Sequence, residues 1–246
     1  MTRKPSRAII PRIRTVSTKQ DRRRELRARR RAIAGSRDIA ADGRRIADHA
    51  LVLIRDTFPI LNRNVRSIDE PAPHTFPILN RNVRPSDRDR MPLGYAPSTS
   101  AGAVTGAAAP VTITLYEPLP AEPDVSALLR DAYALGIRVI VPITLPDLDL
   151  DWAQWSPEGI GQPLGKDAVA DVTVAFVPGL SVDDSGTRMG QGGGCYDRTL
   201  PRIRSGAPVV CVVHPGEDHT MPLLPREGHD VPVNAVLTAD GIRWVD

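Results

Sequence analysis

The pattern of apolar and polar positions divides the chain into a helical N-terminal part, a middle part without periodicity and a C-terminal α/β part. From Thr18 the spacing is helical. Thr18 can cap, with Asp21 three residues on in a capping-box position, and Leu26, Ala28, Ala32 and Ile33 form a thin apolar stripe among arginines. Gly35 should end this helix. Ser36 can cap a second, in which Ile39, Ile46, Ala50 and Leu53 recur at helical spacing, and which should stop before Pro59. Further on, residues 111–116, 137–141 (ahead of Pro142), 172–177, 209–213 and 235–238 read as strands. A helix over 125–135 lies between a cap at Asp124 and Gly136. Strands apolar on both faces belong in a sheet covered on both sides, and residues 111–141 form one strand–helix–strand unit of a parallel sheet. The predicted class is α/β: a mainly parallel sheet with helices on both faces, preceded by basic N-terminal helices.

Two segments break this pattern. Residues 1–16 hold Pro5, Pro11 and several arginines but no acid, and are expected to be a disordered tail. Residues 57–110 contain TFPILNRNVR twice without a mismatch, at 57–66 and 75–84, followed by a stretch rich in Pro, Ser, Gly and Ala. Such a long connection inside a compact domain reads as a low-order insertion produced by local duplication. One α/β domain over 17–246, interrupted by that insertion, is the expected organisation.

Composition narrows the function. Of the 246 residues, 41% are hydrophobic and 25% charged, which excludes a wholly disordered or collagen-like chain. No apolar run approaches the ~20 residues of a membrane span. Two cysteines, Cys195 and Cys211, cannot build a disulfide framework or a structural zinc site, which suits the cytoplasm. The net charge of +3 hides an asymmetry: residues 1–45 carry +12 and the remainder −9. A basic N-terminus on an acidic body suits an anionic partner, either nucleic acid or a phosphorylated small molecule.

The chemistry concentrates in residues 176–200, FVPGLSVDDSGTRMGQGGGCYDRTL. Gly186, Gly190, Gly192, Gly193 and Gly194 let the backbone approach an anion, and a helix beginning over 195–203 adds positive potential. Arg188 offers a planar fork of donors, and Asp197 can hold a divalent cation that bridges phosphates. The loop is neither of the common nucleotide motifs. The nearest approach to a Walker A, residues 161–167 (GQPLGKD), is one residue short and ends in Asp, and the Rossmann spacing from Gly190 lands on Cys195. His49, His74, His214 and His219 lack metal-ligand spacing and read as surface residues, Cys195 as incidental, and Trp152 and Trp155 as packing residues. Asp230 precedes a strand, where a loop carboxylate can face a site.

These residues resemble the signature of the 5-formyltetrahydrofolate cyclo-ligases, close to V-P-G-x-x-x-D-x-x-G-x-R-L-G-x-G-x-G-Y-Y-D-R-x-L. The match runs from Val177 through Pro178, Gly179, Asp183, Gly186, Arg188, Gly190, Gly192 and Gly194 to Tyr196, Asp197, Arg198 and Leu200. The family's basic K-x-x-x-R helix is matched by Lys19 and Arg23. Its Y-x-x-x-x-x-E-x-D-T is matched by Tyr116, Glu122 and Asp124, with Val125 for the threonine. Its H-D-x-P-V is matched at residues 229–233. Cys195 replaces the first signature tyrosine, and a G-[IL]-x-E-P motif between Trp155 and Val172 is not evident.

The resemblance implies an ATP-dependent enzyme that closes 5-formyltetrahydrofolate to 5,10-methenyltetrahydrofolate with release of ADP and phosphate. It implies ATP contacts from Lys19, Arg23, Arg188, Gly190, Gln191, Gly192, Gly193, Gly194, Cys195 and Tyr196, with Arg188 and Lys19 catalytic. Folate would be met by Glu117, Glu122 and the 191–195 backbone, and Mg²⁺ by Asp197 and Asp230. The partner would be a reduced folate, with no nucleic acid and no membrane, and the enzyme a monomer or homodimer in the cytoplasm. Two alternatives stay open: a degenerate relative that binds nucleotide or folate without turnover, and an Arg-rich nucleic-acid-binding protein.

The insertion yields a first prediction. Loop closure costs grow by only ~0.6 kcal/mol per doubling of length, and two identical copies cannot both fill one pocket. Replacing residues 57–108 with a short Gly/Ser linker should therefore leave soluble yield and far-UV circular dichroism unchanged. Loss of soluble protein in the deletion would make the segment part of the fold.

Overall fold

The computed structural model describes residues 18–57, 111–221 and 223–245. The expected tail and all but the first residue of the expected insertion lie outside them. Helix α1 (Lys19–Ser36) and α2 (Ile39–Thr57) precede β1 (Thr112–Thr114), α3 (Ser126–Ala134) and β2 (Arg138–Thr144). Then come β3 (Leu150–Ser156), β4 (Gly159–Pro163), β5 (Val174–Pro178), β6 (Ser181–Val182) and β7 (Arg188–Met189). A short α4 (Cys195–Thr199) leads to β8 (Val209–Val212), β9 (Ala235–Thr238) and β10 (Gly241–Trp244).

Eight strands form one sheet in the order β10-β9-β8-β5-β1-β2-β3-β4, and β6 pairs with β7 separately. The central run from β9 to β2 is parallel. Antiparallel β3–β4 extends one edge and β10 the other. Period-two alternation sorts the core. Val174 and Phe176 join Ile46, Ala50 and Ile54 of α2 and Leu128 of α3 on one face. Ala175 and Val177 point to the other face, among Trp152, Leu200, Cys211 and Val236. The expected mainly parallel α/β fold is therefore present.

Several boundaries differ from the sequence reading. Helix α1 continues through Gly35, and the Ser36 hydroxyl closes its last turn by donating to the Ile33 carbonyl (2.9 Å). The cap of α2 is instead Asp38, whose carboxylate accepts the Ala41 N–H (3.0 Å). Strand β2 runs past Pro142. Ile140 accepts from the Leu115 N–H (3.0 Å), so alternation turns Pro142 back toward β1, which has already ended. The missing N–H therefore breaks no ladder bond. Strands β4 and β10 escaped the sequence reading because they lie at the sheet edges, and β3, next to β4, because polar residues interrupt its apolar run. Strand β4 is exposed along its whole length.

Helix α1 docks unlike the others. Of the expected apolar stripe only Leu26 is buried, against Leu180, Met189 and Leu224, while Ala28 and Ala32 are exposed. The other buried side chain is Arg30, which forms a bidentate pair with Glu217 (Nε–Oε1 3.0 Å, Nη2–Oε2 2.6 Å) and also donates to the Gly179 carbonyl. Arg22, Arg23, Arg27 and Arg29 donate to the backbone carbonyls of Met221, Gly190, Gln191 and Gly216. The helix is thus held mainly by guanidinium groups.

Removing one member of a buried pair strands the other, at a cost of about 3–5 kcal/mol, whereas replacing both by apolar groups is often neutral. Arg30→Ala should lower the urea-unfolding free energy by about that amount, and Arg30→Met with Glu217→Leu should recover most of it. A cost below about 1 kcal/mol for Arg30→Ala would mean the pair does not anchor the helix.

Candidate active site

The chain leaves β1 toward β2 on one side and returns with β5 on the other, so the sheet switches direction between β1 and β5. Ligands of open α/β sheets bind outside the carboxyl ends of the strands at such a point. A cavity of about 840 Å³ opens there. Its walls come from the chain after β1 (Tyr116 to Glu122), the end of β2, Pro178 and Gly179 after β5, residues 188–197, the first turns of α1, and the 225–230 loop.

Local structure fixes each wall. The α1 start is held by a reciprocal capping box between Thr18 and Asp21, which sets Lys19 at the helix mouth. Asp183, fully buried, accepts the Ser185 and Thr187 N–H groups and the Ser185 hydroxyl on one oxygen and the Leu224 N–H on the other, tying the β6–β7 turn to the 224 loop. The glycine loop follows β7. Gly192 has φ +114°, a conformation that L side chains rarely adopt. Gly179 lies so close to its surroundings that a Cβ would meet Cys211 Sγ at 2.6 Å and Arg188 Cγ at 3.1 Å.

Every sequence-predicted site residue lines this cavity: Lys19, Arg23, Glu117, Glu122, Arg188, Gly190, Gln191, Gly192, Gly193, Gly194, Cys195, Tyr196, Asp197 and Asp230. The expected helix over 195–203 is cut to α4, with a 3₁₀ turn over Leu200–Arg202. Pro201 sits in that turn, where a missing N–H interrupts the α-helical bonding. The cations are paired with the carboxylates. Lys19 Nζ lies 2.6 Å from Asp230 and 3.3 Å from Glu227. Arg188 binds Asp197 (2.8 Å) and the Pro178 carbonyl, and its guanidinium lies 5.6 Å from the centre of the Tyr196 ring. Burial raises the Asp230 pKa, but hydrogen bonds from Lys19 and from the Glu227 N–H outweigh it and hold the carboxyl below its ordinary value. Glu122 is buried and accepts the Leu119 N–H (3.1 Å), whereas Glu117 is exposed.

Three polar atoms on cavity residues are buried without a hydrogen-bond partner among the described residues: Tyr116 Oη, Tyr196 Oη and Arg188 Nε. Such atoms are free to bond with a ligand or a water that enters the cavity. Two oxygen donors of the kind a hard divalent cation prefers, Asp197 and Asp230, share the same wall system. Among the described residues there is no cluster of three or more ligating side chains. That donor set fits Mg²⁺ carried by phosphates rather than a closed protein cage.

The profile of the 5-formyltetrahydrofolate cyclo-ligase family matches residues 103–239. The chain belongs to this family. A 5-formyltetrahydrofolate cyclo-ligase of Mycolicibacterium smegmatis is 36% identical over 143 residues, covering 52% of this chain and 73% of the relative. Two solved structures share the fold. The 5,10-methenyltetrahydrofolate synthetase of Mycoplasma pneumoniae has a TM-score of 0.56 at 14% identity and covers 90% of this chain and 98% of its own. That of Aquifex aeolicus has a TM-score of 0.53 at 20% identity and covers 92% of each chain.

With the cyclo-ligase family as reference, two sequence readings need revision. Residues 159–163 (GIGQP) come near the G-[IL]-x-E-P motif, with Gln162 in place of its glutamate. They form β4, and Ile160 reaches the cavity. His214 is not a surface residue. It is buried behind the site with Nε2 3.1 Å from the Ala121 carbonyl, and burial lowers its pKa. His49 is half-buried, His219 is exposed and His74 lies outside the described residues. Trp152 and Trp155 do pack, Trp152 in the core and Trp155 edge-on to Tyr133. Two residues beside the site were not singled out. Arg27 binds the Gln191 side chain (3.0 Å) and carbonyl, one turn beyond Arg23 on the same helix face, so the K-x-x-x-R spacing carried four residues further would have found it. Tyr116 appeared only as a motif position.

The tight Gly179 contact gives a third prediction. Overpacking costs about 1–3 kcal/mol, so Gly179→Ala should lower the urea-unfolding free energy by that amount. Adding Cys211→Ala, which removes the nearest atom, should restore part of the loss. An Ala variant as stable as the parent would mean the loop gives way easily.

Proposed function

We propose that the chain is an ATP-dependent 5-formyltetrahydrofolate cyclo-ligase, forming 5,10-methenyltetrahydrofolate with release of ADP and phosphate. The observation that carries this reading is the single cavity at the sheet's switch point lined by all four family motifs. A formyl oxygen on an amide-like nitrogen leaves poorly. Phosphoryl transfer from ATP to that oxygen makes it a leaving group, and N10 of the folate then closes the ring. The protein's task is to align the two substrates and to neutralise phosphate charge.

In this reading Lys19, Arg23 and Arg188 face the phosphates, and residues 190–196 supply close backbone between nucleotide and folate. Lys19 and Arg188 would exchange Asp230 and Asp197 for phosphate oxygens. The freed carboxylates would then hold Mg²⁺, whose contribution is charge neutralisation on the phosphates. Glu122 and Glu117 line the folate side. Arg22, Arg23, Arg27 and Arg29 of α1 are engaged with this chain's own carbonyls, which supports a small-molecule role over nucleic-acid binding. We place the enzyme in the cytoplasm, as a monomer or homodimer.

The test is growth of methenyl-folate absorbance with purified protein, ATP and 5-formyltetrahydrofolate, with and without Mg²⁺. Turnover that needs both ATP and Mg²⁺ is expected. Lys19→Ala should lower kcat/KM for ATP by roughly 10- to 100-fold, the loss of one charged contact worth about 1.5–3 kcal/mol. No turnover by the parent protein would sink the reading, and an unchanged constant for ATP would remove Lys19 from the phosphate site.

A further inference from the structure

Tyr116 follows β1 and belongs to the buried cluster that also holds residues of α2 and α3, and it is only 3% exposed. Its hydroxyl is nevertheless without a hydrogen-bond partner among the described residues, and the residue lines the cavity. A buried hydroxyl left unpaired costs about 1–3 kcal/mol, and phenylalanine would fill the same space without that cost. A donor kept there at a loss to the empty protein is what a site needs when it selects a ligand by hydrogen bonding.

The surroundings define the ligand group. Burial, first, and the nearby Glu122 charge hold the phenol well above its ordinary pKa, so it remains a neutral donor. Glu122 lines the same cavity and, as a carboxylate, only accepts. A donor beside an acceptor complements a ligand edge carrying a carbonyl oxygen beside N–H groups. The amino-oxo edge of a pterin ring is such an edge, whereas the phosphates of ATP carry only acceptors and its adenine sets a single amino group beside ring nitrogens, with no carbonyl oxygen. We infer that the Tyr116 hydroxyl is a folate-binding group, donating to the pterin carbonyl oxygen on the edge whose N–H groups face Glu122. The inference rests on the cyclo-ligase reading and adds a specificity-determining residue to it.

The test compares the parent protein with Tyr116→Phe, which keeps the ring and removes only the hydroxyl. Calorimetric titration with 5-formyltetrahydrofolate, in the absence of ATP, should give a Kd weakened about 3- to 10-fold, the size of one neutral hydrogen bond. The Kd for ATP should stay within about 2-fold, and the Tm of the ligand-free variant should be no lower than the parent's, since no intramolecular bond is lost. Unchanged folate affinity in the variant would overturn this inference alone. A lowered Tm with equal weakening of folate and ATP would assign the hydroxyl a structural role and also overturn it. A parent protein that binds no reduced folate would overturn the cyclo-ligase reading, and this inference with it.

Discussion

The buried Arg30–Glu217 pair is the contact on which the site's geometry depends. Helix α1 buries one apolar side chain, Leu26, so hydrophobic contact alone gives it little hold on the body. Burying a Leu contributes about 1.5–3 kcal/mol, less than the ordering of a whole helix costs. Arg30 makes up part of the difference by joining three pieces: Glu217 of the loop after β8, the Gly179 carbonyl at the end of β5, and the helix itself. Gly179 is also where the backbone comes closest to Cys211 and Arg188. One guanidinium therefore sets both the helix that carries Lys19 and Arg23 and the strand end beneath Arg188.

That arrangement explains what the sequence concealed. Lys19, Arg23, Leu26, Arg27 and Arg30 recur at intervals of three and four residues, so they share one face of α1. By hydropathy this face is mostly polar, and the expected stripe joined Leu26 and Ile33, which lie on it, to Ala28 and Ala32 on the exposed side. The period was legible, but the arginines were not read as part of the docking face, because what they meet is backbone carbonyls and a carboxylate. The opposite holds for the central strands. Val174–Pro178 and Val209–Val212 are apolar on both faces, their environment is a covered parallel sheet, and pattern and structure agree. Strand β3 shows where the pattern fails: Asp149 and Asp151 flank Leu150, and their carboxylates accept the Leu150 and Trp152 N–H groups, local polar contacts that disguise a strand start.

The site was more legible than the fold around it. Its residue types are dictated by chemistry: glycines where backbone must come close, fixed cations, and carboxylates at set spacing. Such constraints leave marks in the order of residues whatever the packing. Tyr116 and Arg27 left weaker marks because their roles depend on partners distant in the chain. Arg27 meets Gln191 across 164 positions. The Tyr116 hydroxyl is notable only because nothing among the described residues answers it, and sequence carries no signal for an unmade bond.

The ion pairs within the cavity bear on how it receives an anion. Lys19 and Arg188 are each compensated by a carboxylate, and their side chains are only 15% and 4% exposed. Isolated buried charges cost several kcal/mol each, so an empty site with bare cations would be poorly stable. Pairing removes that cost but obliges an incoming phosphate to displace a carboxylate. The displaced Asp197 and Asp230 would then be the uncompensated groups, and a divalent cation brought by the phosphates relieves both at once. On the proposed reading, nucleotide alone leaves two displaced carboxylates uncompensated, whereas nucleotide with its cation brings in the positive charge that can pair them. Metal dependence then follows from the charge balance of the pocket itself, with no protein cage needed to hold the ion in advance.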